Sequence, residues 1–127
     1  DWRDIAAGVG IDLSDHRSLP LDDLDDLDEV DLYVAMTADH ARSLALARPH
    51  AVGRIGVLGL LAGTPLVGES DRGPVRRLLG EQRGFDLLRL ETHGDVDDPF
   101  RASARTQRRV AEQIVMLSRH FVAGWPA

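Results

Sequence analysis

Hydrophobic and polar positions alternate along this chain with periods that change from segment to segment. Trp2, Ile5, Ala6 and Val9 fall at helical spacing, and Gly10 stands where a left-handed residue would end the helix. Residues 11–20 turn polar and close on Pro20, as a loop does. From residue 21 to 30, Leu24, Leu27 and Val30 recur every third position among Asp22, Asp23, Asp25, Asp26, Asp28 and Glu29. That spacing predicts a helical or tight-turn stretch with an acidic face in water. Residues 31–37 form an apolar run containing Tyr33 and Val34, the pattern of a buried parallel strand. Thr37 is placed to cap a helix from Ala38 to about Ala47, which ends near Pro49. Residues 54–61 read as a second buried strand. Strand, helix and strand in this order predict a right-handed crossover unit.

Further on, Gly63, Pro65, Gly68, Gly73 and Pro74 mark residues 61–74 as loop. A short helix is predicted over residues 75–79 with Arg76 and Arg77 outward, and residues 85–90 return apolar groups to the core. Residues 101–122 carry Val110, Ile114, Leu117 and Phe121 at separations of four, three and four, the stripe of an amphipathic helix packed on a sheet. Arg101, Arg105, Arg108 and Arg109 crowd its early turns against the helix dipole, so nearby acids at residues 95–98 are expected to compensate.

With 127 residues the chain is expected to form one domain over residues 1–127, large enough for a single core. Its 43% hydrophobic content is that of a globular protein, and no apolar run reaches the roughly 18 residues that a membrane span needs. No basic and apolar opening marks secretion, and a cytoplasmic location is expected. The net charge of −6 argues against general nucleic-acid binding, which requires basic surface. All 15 basic residues are Arg, a bias of composition. There is no Cys, which excludes disulfides, thiolate metal sites and cysteine nucleophiles within these residues.

Candidate chemistry concentrates in residues 94–100, Gly-Asp-Val-Asp-Asp-Pro-Phe. Pro99 disfavours helical backbone at Asp98 and holds it extended. A carboxylate on a stiffened loop beside an aromatic ring suits a general acid. An Asp-Pro pair is equally an ordinary capping turn before a helix. Other clusters offer less. The acidic run at residues 21–30 lacks the ligand alternation and Gly of a calcium-binding hand. His40 and His50 match no metal-binding period. The glycines of residues 61–74 have neither a Gly-Lys-Ser/Thr ending nor the dinucleotide fingerprint. No metal or cofactor is expected.

Three blocks in order then carry a resemblance: Gly10-Ile11-Asp12-Leu13-Ser14-Asp15-His16-Arg17-Ser18, Asp31-Leu32-Tyr33-Val34-Ala35-Met36-Thr37 with His40 following, and Asp95-Val96-Asp97-Asp98-Pro99-Phe100. Together they resemble the low-molecular-weight protein tyrosine phosphatase family, which includes the arsenate reductases. The arsenate reductase branch needs cysteines that are absent here. The resemblance implies an α/β fold, a three-layer arrangement of a parallel sheet with helices on both faces. It also implies that the family's first strand, phosphate loop and second strand are lacking from these residues, and with them the nucleophilic Cys.

On that resemblance Asp98 is the general acid and then the general base, and Phe100 flanks the substrate ring. His16 braces the phosphate loop by hydrogen bonding, although a lone His in a polar loop is also an ordinary surface residue. Family members often carry Asp where this chain has Thr37. The charges of Asp95 and Asp97 would disfavour ionisation of Asp98. The implied substrates are phosphotyrosine proteins or small aryl phosphates, hydrolysed through a phosphocysteine once the missing segment is supplied, so that these residues alone should be inactive. Two other expectations stand beside this one. A catalytically inactive relative would bind a protein partner or regulate, and loss of the first strand would leave a hydrophobic sheet edge open to homodimerisation. Nucleotide binding by residues 61–74 is the remaining alternative.

Overall fold

A computed structural model describes residues 1–23, 30–63, 79–80 and 82–125. The predicted helical turns at residues 24–29, the loop at residues 64–74 and most of the short helix at residues 75–79 lie outside the described residues.

Helix α1 spans Trp2–Gly8. The Asp1 side chain accepts the Arg3 amide at its start, and Gly10, with φ +87°, takes the left-handed turn that lets the Ile11 amide return to the Ala6 carbonyl. Strand β1 is Tyr33–Ala35, helix α2 is Ala38–Ala47 and strand β2 is Ile55–Val57, with a 3₁₀ turn over Pro49–Arg54 leading into β2. The strands pair in parallel with Tyr33 opposite Ile55 and Ala35 opposite Val57. The strand, helix and strand read from the apolar pattern are therefore present, with α2 at its predicted bounds, but β1 keeps only Tyr33–Ala35 of the run 31–37 and is not buried throughout, its central Val34 being exposed. Helices α3 (Leu58–Ala62), α4 (Gly84–Leu88) and α5 (Ala104–Gly124), with a 3₁₀ turn over Leu21–Asp23, complete the described elements. The protein is thus of mixed helix and strand, with a two-stranded parallel sheet among the described residues.

The core gathers Tyr33, Ala35, Ala41, Ala51, Ile55, Val57 and Leu87 between the sheet, α2 and α4. Alanines on α2 allow the helix to lie close on the strands. Two long-range ties hold its outer parts. Arg42 on α2 donates to the carbonyls of Leu87 and Leu90, and Gln82 donates to those of Val52 and Ile55 at 2.7 and 2.8 Å. The Gln82 amide thereby ties its own segment to the carbonyls at the entry to β2.

Several expectations are corrected. The second apolar run is not strand throughout, because the chain turns into α3 at Leu58, where Leu and Ala favour helix and Gly59 permits a close backbone approach. Residues 85–90 do not all return to the core. Leu87 is buried, whereas Phe85 and Leu88 are 59% and 70% exposed, since a one-turn helix can turn only one side inward. The last helix begins at Ala104 rather than 101. Its cap is Ser103, whose Oγ accepts the Thr106 amide, so the Asp98-Pro99 pair is not the cap. This helix has α1 and α3 as its main neighbours rather than the strands, with Val110 and Ala111 fully inward.

Candidate functional site

The loop preceding α5 is pinned to the carboxyl end of β1. The Val96 amide donates to the Met36 carbonyl at 2.8 Å, just past the end of β1. One residue earlier, Asp95 Oδ1 accepts the amide of Ala38 at 2.8 Å, the first residue of α2, while Thr37 Oγ1 accepts that of His40 at 3.0 Å. The open amino end of α2 is thus capped from two directions, by its own Thr and by a carboxylate 57 positions away. Val96 is 3% exposed and anchors the loop from within.

A second constraint lies under it. Gly59 in α3 and Gly94 meet backbone to backbone: a Cβ on Gly59 would overlap the Gly94 carbonyl, and one on Gly94 would lie 2.7 Å from Leu60 Cγ. These glycines are needed for proximity rather than for an unusual dihedral angle.

From this anchored base Asp97, Asp98, Pro99 and Phe100 reach the surface. Asp97 Oδ2 accepts from Arg109 at 3.2 Å, the compensation expected between the loop acids and the arginines of α5. Asp98 is exposed and outside any helix, and its Oδ1 accepts the Phe100 amide at 3.0 Å. That bond fixes the carboxyl plane and leaves Oδ2 without a protein partner among the described residues. Phe100 is 75% exposed, with the Arg101 guanidinium 5.3 Å from its ring centre. Arg101 adopts φ +59°, the left-handed region that side chains disfavour by about 1 to 2 kcal/mol. This turn separates the loop from α5.

Asp98, Pro99, Phe100 and Arg101 line an open hollow of about 360 Å³ bordered by Trp2 of α1 and Gln107 of α5. Its size falls in the range of roughly 300 to 1,000 Å³ typical of small-ligand sites. The expected site residues Asp98 and Phe100 are therefore neighbours in one hollow. Asp95 and Asp97 are turned to Ala38 and Arg109, so each of these charges already has a partner other than Asp98.

His16 lies elsewhere on α1's flank. It is exposed on the loop after α1, its Nε2 is 3.4 Å from Ser18 Oγ, and its carbonyl accepts from Arg3 and Arg17. Trp2 and Arg3, adjacent on α1, thus reach the Asp98 cavity and the His16 loop respectively. The His16 ring does not line the cavity. In the same loop Asp12 Oδ1 accepts the Ser14 amide at 2.9 Å, and hydrogen bonding from Ser14 holds the Asp12 carboxyl below its ordinary value of 3.8.

Other hollows offer less chemistry. One, about 500 Å³, runs between the end of α1 and α5 past Glu112, Met116, Arg119 and His120, and holds none of the expected residues. An apolar hollow of about 410 Å³ lies between α2 and α4 around Leu46, Leu87 and Leu88. Among the described residues no three His, Asp or Glu side chains are grouped to hold a metal ion, and no helix is long and apolar enough to cross a membrane.

Trp2 and Asp95 were not singled out as site residues by the sequence pattern. Trp2 reads as one member of a helical stripe, and the Asp95 to Ala38 bond has no local signal. Comparison of the chain with known protein families, characterised proteins and solved structures finds no match.

Proposed function

We propose that these residues form the acid-bearing part of a low-molecular-weight protein tyrosine phosphatase-like domain, a three-layer α/β fold in which Asp98 protonates the leaving group of an aryl phosphate. The observation that carries this reading is the Asp98-Pro99-Phe100 loop fastened at the carboxyl end of β1 by the Val96 to Met36 and Asp95 to Ala38 bonds. In open parallel sheets ligands bind outside the carboxyl ends of the strands. A proton donor belongs there, beside an aromatic that can flank the substrate ring.

On this reading a Cys from outside residues 1–127 attacks the phosphorus, and the bond to the phenolic oxygen breaks. Phenol has a pKa of about 10 and leaves poorly as an anion near neutral pH. Asp98 Oδ2, oriented by the Oδ1 to Phe100 bond, gives that oxygen a proton. The resulting carboxylate takes a proton from the water that then hydrolyses the phosphocysteine, which restores the acid and releases phosphate. Phe100 lies along the ring, and His16 steadies the phosphate loop. Phosphotyrosine proteins or small aryl phosphates are the substrates, and a cytoplasmic location goes with this assignment.

The test is leaving-group dependence once a Cys-containing phosphate loop is supplied to these residues. Asp98→Asn should lower turnover of phenyl phosphate by roughly 10²-fold or more. It should lower that of 2,4-dinitrophenyl phosphate far less, because that phenol departs without a proton. Equal losses on both esters, or none, would remove Asp98 from the role. The 127-residue chain alone should hydrolyse neither.

A second reading, a non-catalytic relative that associates through the β1 edge, is favoured by Val34. This residue sits at the centre of β1, is 40% exposed, and belongs to a strand that pairs with β2 alone among the described residues. Self-association that disappears in Val34→Arg, measured by light scattering, would support it; a wild-type monomer at high concentration would dismiss the homodimer.

A further inference from the structure

We infer that the hollow between Trp2 and the Asp98 loop selects aromatic groups that carry a neighbouring carboxylate, so that the preferred substrate is an aryl phosphate within an acidic peptide rather than a neutral aryl ester. The inference rests on the assignment of Asp98 above and adds a specificity element to it. Trp2 supplies one aromatic wall from α1, and Phe100 a second from the loop. Two flat apolar surfaces on one cavity of about 360 Å³ suit a ring.

Arg101 supplies the charge. It lines the same cavity, and no carboxylate pairs with it among the described residues. By contrast Arg109, Arg108, Arg48 and Arg42 are all engaged by Asp97, Glu112, Asp22 and Asp39. Its guanidinium is held against the Phe100 ring, which keeps a planar fork of donors at the mouth, in reach of an anion attached to a bound ring.

The chain contains two Trp residues, Trp2 in this cavity and Trp125 packed at a tilt against Phe121 at the far end of α5. Their indole N–H signals in a ¹⁵N-labelled sample, assigned with Trp2→Phe, report binding and folding separately. Titration with phenylacetate and with its neutral isostere phenylacetamide should move the Trp2 signal saturably and leave that of Trp125 in place. Phenylacetate should bind about threefold more tightly at low ionic strength, as suits an exposed charge pair. Arg101→Gln should erase that difference without weakening phenylacetamide, and 1 M NaCl should erase it in the unaltered chain. A Trp2 signal indifferent to both probes, or a phenylacetate preference that survives both Arg101→Gln and high salt, would overturn the inference. Hydrolysis enters neither readout, so failure of the Asp98→Asn leaving-group test would leave this result standing, and the reverse holds too.

Discussion

The Asp95 carboxylate and the Ala38 amide, 2.8 Å apart, join the loop that bears Asp98 to the first turn of the helix that follows β1. The bond caps α2 and fixes the loop in one stroke. Asp95→Ala should therefore cost about 1 to 2 kcal/mol, the range for loss of a cap at a helix start. Asp95→Asn keeps an acceptor and should cost less. Urea denaturation gives both values. By comparison, Asp97→Asn breaks only an exposed pair with Arg109 and should change stability by less than about 1 kcal/mol.

Gly59 and Gly94 set how closely the loop approaches α3. Gly59→Ala places a methyl group against the Gly94 backbone, which cannot swing away as a side chain can. Overpacking of this kind costs about 1 to 3 kcal/mol. Gly8→Ala is the control, since nothing lies within 4 Å of its added Cβ and the residue is helical. Alanine there should stabilise by up to about 1 kcal/mol. Thermal unfolding of the two variants should shift in opposite directions.

Asp12 gives a pH dependence whose sign can be worked out. The Ser14 amide holds its carboxyl below 3.8 in the folded chain, so the folded protein binds fewer protons at this position than the unfolded one. The stability it contributes is complete above the unfolded value and fades as the pH drops through the folded one. Titration of the Asp12 carboxyl carbon by NMR should show a midpoint below 3.8, and the midpoint should rise in Ser14→Pro, which lacks the amide hydrogen.

What the sequence made legible follows from the range of the forces involved. Helix α2 was readable because Thr37 and Pro49 are local punctuation and its apolar positions repeat. The two strands were readable as apolar runs, but the end of β2 was not, because Leu58 to Leu61 is as apolar in helix as in strand. In the candidate site, Asp98 and Phe100 were legible from the proline between them. The cap on Ala38 and the contact of Gly59 with Gly94 join residues tens of positions apart, and no periodicity encodes such meetings. Ser103 does not read as the cap because Arg101 and Ala102 before it extend the apparent helix, and only the left-handed turn at Arg101 interrupts it.

That turn supports the last prediction. At φ +59° Arg101 loses about 1 to 2 kcal/mol relative to a residue without a Cβ, while its stacking on Phe100 returns about 0.5 to 1 kcal/mol. Gly removes both terms and adds an unfolded-state cost of about 0.5 to 1 kcal/mol, so Arg101→Gly should be close to neutral. Ala keeps the dihedral penalty and loses the ring contact, and Val adds the clash of a branched side chain. Stability should therefore run from Gly and Arg together, through Ala, to Val, with about 1 to 2 kcal/mol between the extremes in urea midpoints. A Val variant as stable as the Gly variant would mean that the backbone at 101 is not left-handed. Phe100 would then be free of the turn that now presents it beside Asp98.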